Sequence, residues 1–425
     1  MSLVGRSRVF LMACCAAALV ACGGHAGNPG GPAEGLVPSA VGMHGAAATP
    51  QVASTLLYSF TGGSADGGYP YGGLIADKSG NLYGTTNGGG PAGLGTVFKL
   101  TPNGATYTES VLYAFAGNGD GELPYGSLVL GKKNVIYGTT YGGGAHGDGC
   151  VFALTPKGAA YTESIVYSFS GSPDGGNPYA GLAADAKGTL FGTTLYGGSN
   201  GGGTVFALAP KGSSFTESVL YNFGAGSDGN TPYGGVLVSK TGVLFGTTTF
   251  GGTAGDGIAY SLTSSGSKYV ESVLHNFAGG SDGKNPYAAL IGSGTTYFGT
   301  TQGGGTGSDG TAFEIVVGKE SATETVLYSF LGGSDAAQPL GALLLGAKGA
   351  LYGTSYSGGT AGQGTVFELS KTKKTYTESV LTSFPGYPGS ANPRAGLIAN
   401  ASGALVGTTY GGGTDGYGTI FDLTP

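Results

Sequence analysis

The sequence predicts an all-β fold, a seven-bladed β-propeller of four-stranded blades, from three observations. Leu82 to Leu100, LYGTTNGGGPAGLGTVFKL, returns in variant form down the chain, with Gly-Thr pairs at Gly84, Gly138, Gly192, Gly246, Gly299, Gly353 and Gly407. Phe60, Phe115, Phe169, Phe223, Phe277, Phe330 and Phe384 hold one equivalent position at spacings of 55, 54, 54, 54, 53 and 54. The last copy stops at Phe421-Asp422-Leu423-Thr424-Pro425, one strand short, whereas Ser54 to Phe60 reads as a fourth strand with no three before it. A period this long exceeds one coil of a β-helix and suits a propeller blade, which needs its neighbours to bury its faces. Joining the two remnants makes one composite blade and leaves no exposed edge. An open solenoid would need polar caps, and the sequence shows none.

Composition agrees with this class. Of 425 residues, 91 are Gly and 10% are charged, which disfavours helix. Gly at this density also occurs in disordered chains, but the 11% aromatic residues recur at fixed positions and give each repeat something to bury. The net charge of -6, with no basic cluster beyond Lys371 to Lys374, excludes a nucleic-acid partner.

Along the chain, residues 1–22 form a targeting segment. Arg6 and Arg8 precede an apolar run, Val9 to Val20, that is too short to span a membrane. Leu19-Val20-Ala21-Cys22 resembles the lipobox of bacterial lipoproteins. That resemblance implies cleavage before Cys22, acylation of its thiol and attachment of the chain to a membrane surface. Gly23 in place of Asp implies sorting to an outer membrane. Cys14 and Cys15 leave with the signal, so no intrachain disulfide is expected, and Cys150 takes the place of Thr96, Thr204 and Thr365 as a small strand residue. Residues 23–53, rich in Gly, Ala and Pro, read as a flexible tether.

Residues 54–425 are the propeller. In the first copy the strands are read as Gly72 to Ala76, Leu82 to Thr86, Thr96 to Leu100 and Thr106 to Phe115. Strands alternate in direction, so the tight turns at residues 77–81 and 101–104 share one face of the ring. The Gly-rich segments Asn87 to Gly95 and Thr61 to Tyr69 share the other. Binding is expected on that long-loop face, because function concentrates in loops held by a rigid scaffold. The GTT, GGG and GTVF elements resemble the GloVer tandem repeats of choice-of-anchor bacterial surface proteins, over essentially residues 54–425. The resemblance implies an extracytoplasmic location, here through the lipobox, and brings no activity with it.

Three residue series recur on this frame. Asp66, Asp120, Asp174, Asp228, Asp282 and Asp335 each precede a Pro by four residues, with Gly389 in the last copy. They read as turn residues bonding their own backbone rather than as a ring of Ca²⁺ ligands. Tyr71, Tyr125, Tyr179, Tyr233 and Tyr287, replaced by Leu340 and Arg394 in the last two copies, are candidates for the channel mouth, but repetition at fixed spacing favours rings packed between adjacent blades. Glu109, Glu163, Glu217, Glu271, Glu324 and Glu378 recur too often for a single active site. Residues that break the repeat are the better candidates for a unique site: Glu122, His146, Asp148, His275, Lys284 and Arg394. His146 and Asp148 share one loop with Glu122 in the preceding one. No HExxH, nucleophile elbow or phosphate loop accompanies them, so no metal or cofactor is assigned and His275 reads as a packed histidine. The expected function is a non-catalytic binding or scaffold module with a glycan or protein partner. A polysaccharide-acting enzyme using Glu122 with Asp148 or Asp174, and an adhesin with a purely structural ring, are the alternatives.

Overall fold

The computed structural model describes residues 52–425 apart from 105, 118, 159, 225, 226, 267 and 374. Seven antiparallel sheets of four main strands form the blades of a propeller. Blade I consists of Ile75–Ala76, Leu82–Gly89, Thr96–Asn103 and Thr106–Ala114, from the axis outward. Blade VII combines Ile398–Ala399, Leu405–Thr409 and Thr419–Leu423 with the N-terminal strand Thr55–Ser59. That strand pairs antiparallel with Thr419–Leu423, from Thr55 opposite Asp422 to Ser59 opposite Thr419, so the ring closes as the two chain ends require.

Each part of the recurring motif has a separate job. The period-marking Phe ends the outer strand of one blade and packs edge-on against the Phe of the next blade's GTVF. Phe60 meets Phe98 at 5.1 Å, and the pattern continues to Phe384 against Phe421 at 4.9 Å. The Gly of GTT makes room for that second ring, since a Cβ on Gly84 would lie 2.5 Å from Phe98 Cζ. The first Thr bridges blades: Thr85 donates to the Gly126 carbonyl at 3.1 Å, and Thr139, Thr193, Thr247 and Thr354 do the same one blade further on. The second Thr ties two strands within a blade, as Thr86 Oγ1 lies 2.7 Å from Thr96 Oγ1. Cys150 replaces that partner Thr in blade II, with Sγ 3.1 Å from Thr140 Oγ1, and burial pushes its thiol up to about 12. It packs as a small strand residue.

The innermost strands are shorter than the sequence suggests. Gly72 and Gly73 fall outside the ladder because a Cβ on Gly72 would sit 2.7 Å from the Gly126 carbonyl oxygen of the next blade. Close approach around the axis takes precedence over strand pairing there. The Gly-rich loops are also more ordered than expected. Gly67–Pro70 pairs with the far end of Leu82–Gly89, and Gly89, at φ +80°, faces the Asp66 carbonyl so closely that no Cβ fits. Much of the GGG element is therefore blade construction.

One residue departs from this packing scheme. Tyr260 stands where six blades carry Phe, and its buried hydroxyl has no hydrogen-bond partner. Tyr260→Phe removes a desolvated polar group and restores the sister residue, so it should raise unfolding stability by about 1 kcal/mol. The check is a higher urea midpoint at unchanged slope; a lower midpoint would show that the hydroxyl contributes a favourable contact.

Candidate functional site

The tyrosine series reaches the axis. Each is delivered by an X-Pro-Tyr, X-Pro-Leu or X-Pro-Arg turn whose first residue is left-handed: Tyr69, Leu123, Asn177, Thr231, Asn285, Gln338 and Asn392 all have φ between 54° and 61°. Their N–H groups donate to the long loop of the preceding blade, as Asn177 does to the Asp148 carbonyl at 2.7 Å. A fixed φ, a proline and an interblade hydrogen bond leave the next side chain little freedom.

The rings of Tyr125 and Tyr179 stack at 4.8 Å and those of Tyr233 and Tyr287 at 4.2 Å. Tyr71 also touches Tyr179, at 5.4 Å, and Tyr179 touches Tyr287, at 6.3 Å. The last two contacts join non-adjacent blades, so the rings meet across the axis instead of packing only between adjacent blades, the arrangement that fixed spacing favours. Burial first, then the hydroxyls of Tyr71 and Tyr287, hold the Tyr179 hydroxyl far above the usual phenol range. Below lies a narrow axial cavity of about 150 Å³, lined by three consecutive residues from each blade and by no Asp or Glu.

Arg394 completes the ring in blade VII. Its guanidinium lies over the rings of Tyr356, Tyr410 and Tyr71 at 4.5, 4.7 and 4.9 Å, and Nη1 donates to the Tyr71 hydroxyl at 2.8 Å. Nε has no partner, and among the described residues no carboxylate pairs with this cation. Tyr356 and Tyr410 directly follow the second strands of their blades. The sequence reading did not single them out, although both occupy the place of Tyr141, which packs near Tyr125 and Tyr179. An aromatic floor with one uncompensated cation can stack on a sugar face and pair with an anion.

The other exceptions do not assemble there. Glu122 exchanges backbone hydrogen bonds with Gly142, His146 is exposed at its loop tip, and the Asp148 carboxylate lies beside Gly171 in the next loop. None of them lines the axial cavity. Asp148 is also no exception to the repeat: Asp256 and Asp309 occupy its place and lie beside Gly279 and Gly332 in the same way. Asp174, the alternative partner of Glu122, is buried and already accepts from the hydroxyls of Ser170 at 2.6 Å and Tyr167 at 2.7 Å.

The Asp series does bond its own turn, as the sequence suggests. Asp66 accepts from the Thr61 and Gly67 N–H groups at 2.8 and 2.6 Å. What joins it is not readable from sequence. In five blades a bulge in the outer strand turns a Tyr onto the Asp, as Tyr113 to Asp120 at 2.7 Å, and the Glu series of the next blade comes alongside. Burial first, then the facing Asp, raises Glu109, Glu163, Glu217 and Glu271 to about 7 and Glu378 to about 8. At the interface of blades VI and VII all three partners are absent together: Thr382, Gly389 and Ser54 stand in their places.

On the face of the tight turns, a cleft of about 710 Å³ opens between blades IV and V, lined by Leu237, Val243, Phe245 and Tyr297 among others. It sits at the turn Ser293-Gly294-Thr295, one residue shorter than its counterparts, which accounts for the single spacing of 53.

The raised glutamates make stability depend on pH. The folded chain binds protons at these positions from about pH 8 downward, the unfolded chain only near 4.5. Stability should therefore be lowest above pH 8, rise as pH falls through 7, and stop gaining near 4.5. Thermal melts from pH 5 to 8.5 test this, with Glu378→Gln flattening part of the slope; melting temperatures that fall on acidification would refute it.

The sequence profile of the Gloeobacter/Verrucomicrobia repeat matches residues 45–257, 108–313 and 234–425. No curated protein matches in sequence. Among solved structures, a provisional 6-phosphogluconolactonase from Bacteroides uniformis is 14% identical with a TM-score of 0.51, over 77% of this chain and 88% of its own. The extracellular domain of a provisional one-component system from B. thetaiotaomicron is 12% identical with a TM-score of 0.52, over 87% of this chain and 40% of its own. At these identities the likeness establishes the fold alone.

Proposed function

We propose a binding role for this chain, which belongs to the Gloeobacter/Verrucomicrobia repeat family: a non-catalytic extracytoplasmic module that takes an acidic glycan at its axial mouth. One observation carries the reading. Five tyrosines from five blades converge with Arg394 on the long-loop face, and that cation has aromatic and hydroxyl partners but no carboxylate. A sugar ring stacks on tyrosine faces while a carboxylate or sulfate on it supplies the missing charge. The mouth is positioned in advance by the left-handed turns, so little ordering cost falls on binding.

The enzyme alternative needs a pair of carboxylates within about 5 to 10 Å of each other at the bound sugar. The axial lining offers none, and Asp174 is committed to its turn. The lactonase likeness does not alter this, because its identity of 14% brings the fold without the site. A purely structural ring, the adhesin reading, leaves the position of Arg394 without a purpose.

Cys22, in the lipobox-like sequence, lies outside the described residues, as do the proposed signal segment and most of the tether. In this reading its acyl chains hold the module at a membrane surface. Cys22→Ser should release the protein from the membrane fraction of its expressing cell into the soluble one. Continued membrane attachment would remove the lipoprotein assignment.

For the mouth, the purified protein is screened on an array of neutral and acidic glycans. Acidic glycans should be preferred, and Tyr125→Ala and Arg394→Ala should each weaken binding by about tenfold or more, the loss of a stacking ring or of a charge-assisted contact. Unchanged binding in both variants would place the contact surface elsewhere.

A further inference from the structure

Six interblade interfaces carry the Asp and Glu partners described above, and five of them complete the set with Tyr58, Tyr113, Tyr167, Tyr221 or Tyr328. The interface of blades IV and V has His275 instead. Its ring Nε2 lies 2.9 Å from Asp282 Oδ1 and 3.2 Å from Oδ2, and Glu324 reaches the same spot from the outer strand of blade V, Ala322–Ser329. One ligand-capable atom from each of the three residues falls within 4.8 Å of the others, the one such group among the described residues.

We propose that His275, Asp282 and Glu324 form a binding site for a divalent transition-metal ion of the zinc class, bridging blades IV and V. Donor chemistry is the first support. One imidazole nitrogen with two carboxylate oxygens suits zinc and leaves a coordination position for water. A phenol at the same place keeps its proton, because burial and the neighbouring carboxylates hold the sister tyrosines well above their usual range. The exchange of Tyr for His thus turns a proton donor into a metal ligand at this interface.

Charge balance is the second support. In the tyrosine interfaces two facing carboxyl groups are reconciled by a proton, as at Glu271 with Asp228. A dication performs the same neutralisation between Asp282 and Glu324 and also takes up the imidazole lone pair. Glu324 Oε1 is buried without a hydrogen-bond partner. Third, the ligands are partly fixed before binding. The Ala278 N–H donates to Asp282 Oδ2 at 2.7 Å, and the His275 ring rests edge-on against Phe277 at 4.8 Å. The side chains of His275 and Asp282 are 22% and 23% exposed, enough for an ion to enter from solvent. Zinc–ligand bonds of about 2.0 to 2.2 Å require the three atoms to draw together by small side-chain rotations. His275 and Asp282 adjoin one outer strand, Lys268–Asn276, and Glu324 belongs to another, so the ion would tie two blades at their rim.

The test uses the whole protein, stripped of metal with chelator, at pH 7.5. Titration calorimetry with ZnCl₂ and visible spectra with CoCl₂ should give one ion per chain and bands of tetrahedral intensity, and zinc should raise the melting temperature. His275→Tyr installs the residue that five sister interfaces already fold around. It should abolish the cobalt bands and weaken binding by more than about a hundredfold, beyond what loss of an outer-shell partner costs, and so should Glu324→Gln. Because His25 and His44 lie in the N-terminal segment, the comparison with His275→Tyr separates this site from any ion held there. No binding, or binding that survives His275→Tyr, would overturn the proposal. Glycan binding by His275→Tyr should match the parent, so this site and the axial mouth are tested independently.

Discussion

The narrowness of the axis governs the rest of the molecule. Seven innermost strands converge where each blade can place only two small residues, Gly72-Gly73, Gly126-Ser127, Ala180-Gly181 and their successors. Backbone then lies against backbone, and the carbonyls of this collar need donors from outside it. In five of the seven copies the first Thr of this motif supplies one from the preceding blade, as Thr85 does to Gly126. The most repetitive motif in the sequence is the counterpart of the most crowded place in the fold. The side chain just before the collar has no room inward and turns into the mouth, which is why five tyrosines and Arg394 meet there.

Blade number, closure and the roles of most motif residues were legible in the sequence, because they rest on burial and edge pairing. Phe60 and its equivalents mark the period because each must wedge between blades, and a missing fourth strand at one end implies a partner at the other. The direction of Tyr71 and its equivalents was less legible. It depends on left-handed turns before proline, and residues as different as Leu123, Thr231 and Asn285 adopt that conformation. The carboxyl pairs were hidden for another reason. Asp66 and Glu109 stand at opposite ends of one copy, and nothing local announces that the outer strand of a blade faces its own entry loop. Asp148 misled as an exception because its counterparts Asp256 and Asp309 sit in loops that otherwise vary. The single short spacing was visible, but only the structure shows that the shortened turn borders a cleft.

The three-residue cluster between blades also shows how a repeat acquires individual features without losing its frame. Of the seven interfaces, five carry Tyr, Asp and Glu together, one has His in place of Tyr, and at the last all three vanish together, where Thr382, Gly389 and Ser54 leave no carboxylate needing a partner. Loss of one member alone would strand a buried charged or polar group. A change of the whole set costs little, and a change of Tyr to His keeps the hydrogen bond to Asp282 while altering what the site can hold. Arg394 and Leu340 likewise change the mouth without disturbing the collar behind them.

The carboxylate-free interface has a consequence for how the ring comes apart. It lies between blades VI and VII, beside the composite blade whose outer strand is the N-terminal Thr55–Ser59, and there the Val52 N–H bonds the Leu381 carbonyl. Conditions that charge the buried glutamates weaken the other interfaces and leave this one untouched. Opening at any of the six carboxylate-bearing interfaces leaves the contact between blades VI and VII and the pairing of Thr55–Ser59 with Thr419–Leu423 in place. A ring that opens this way can relax and re-form with its composite blade still paired.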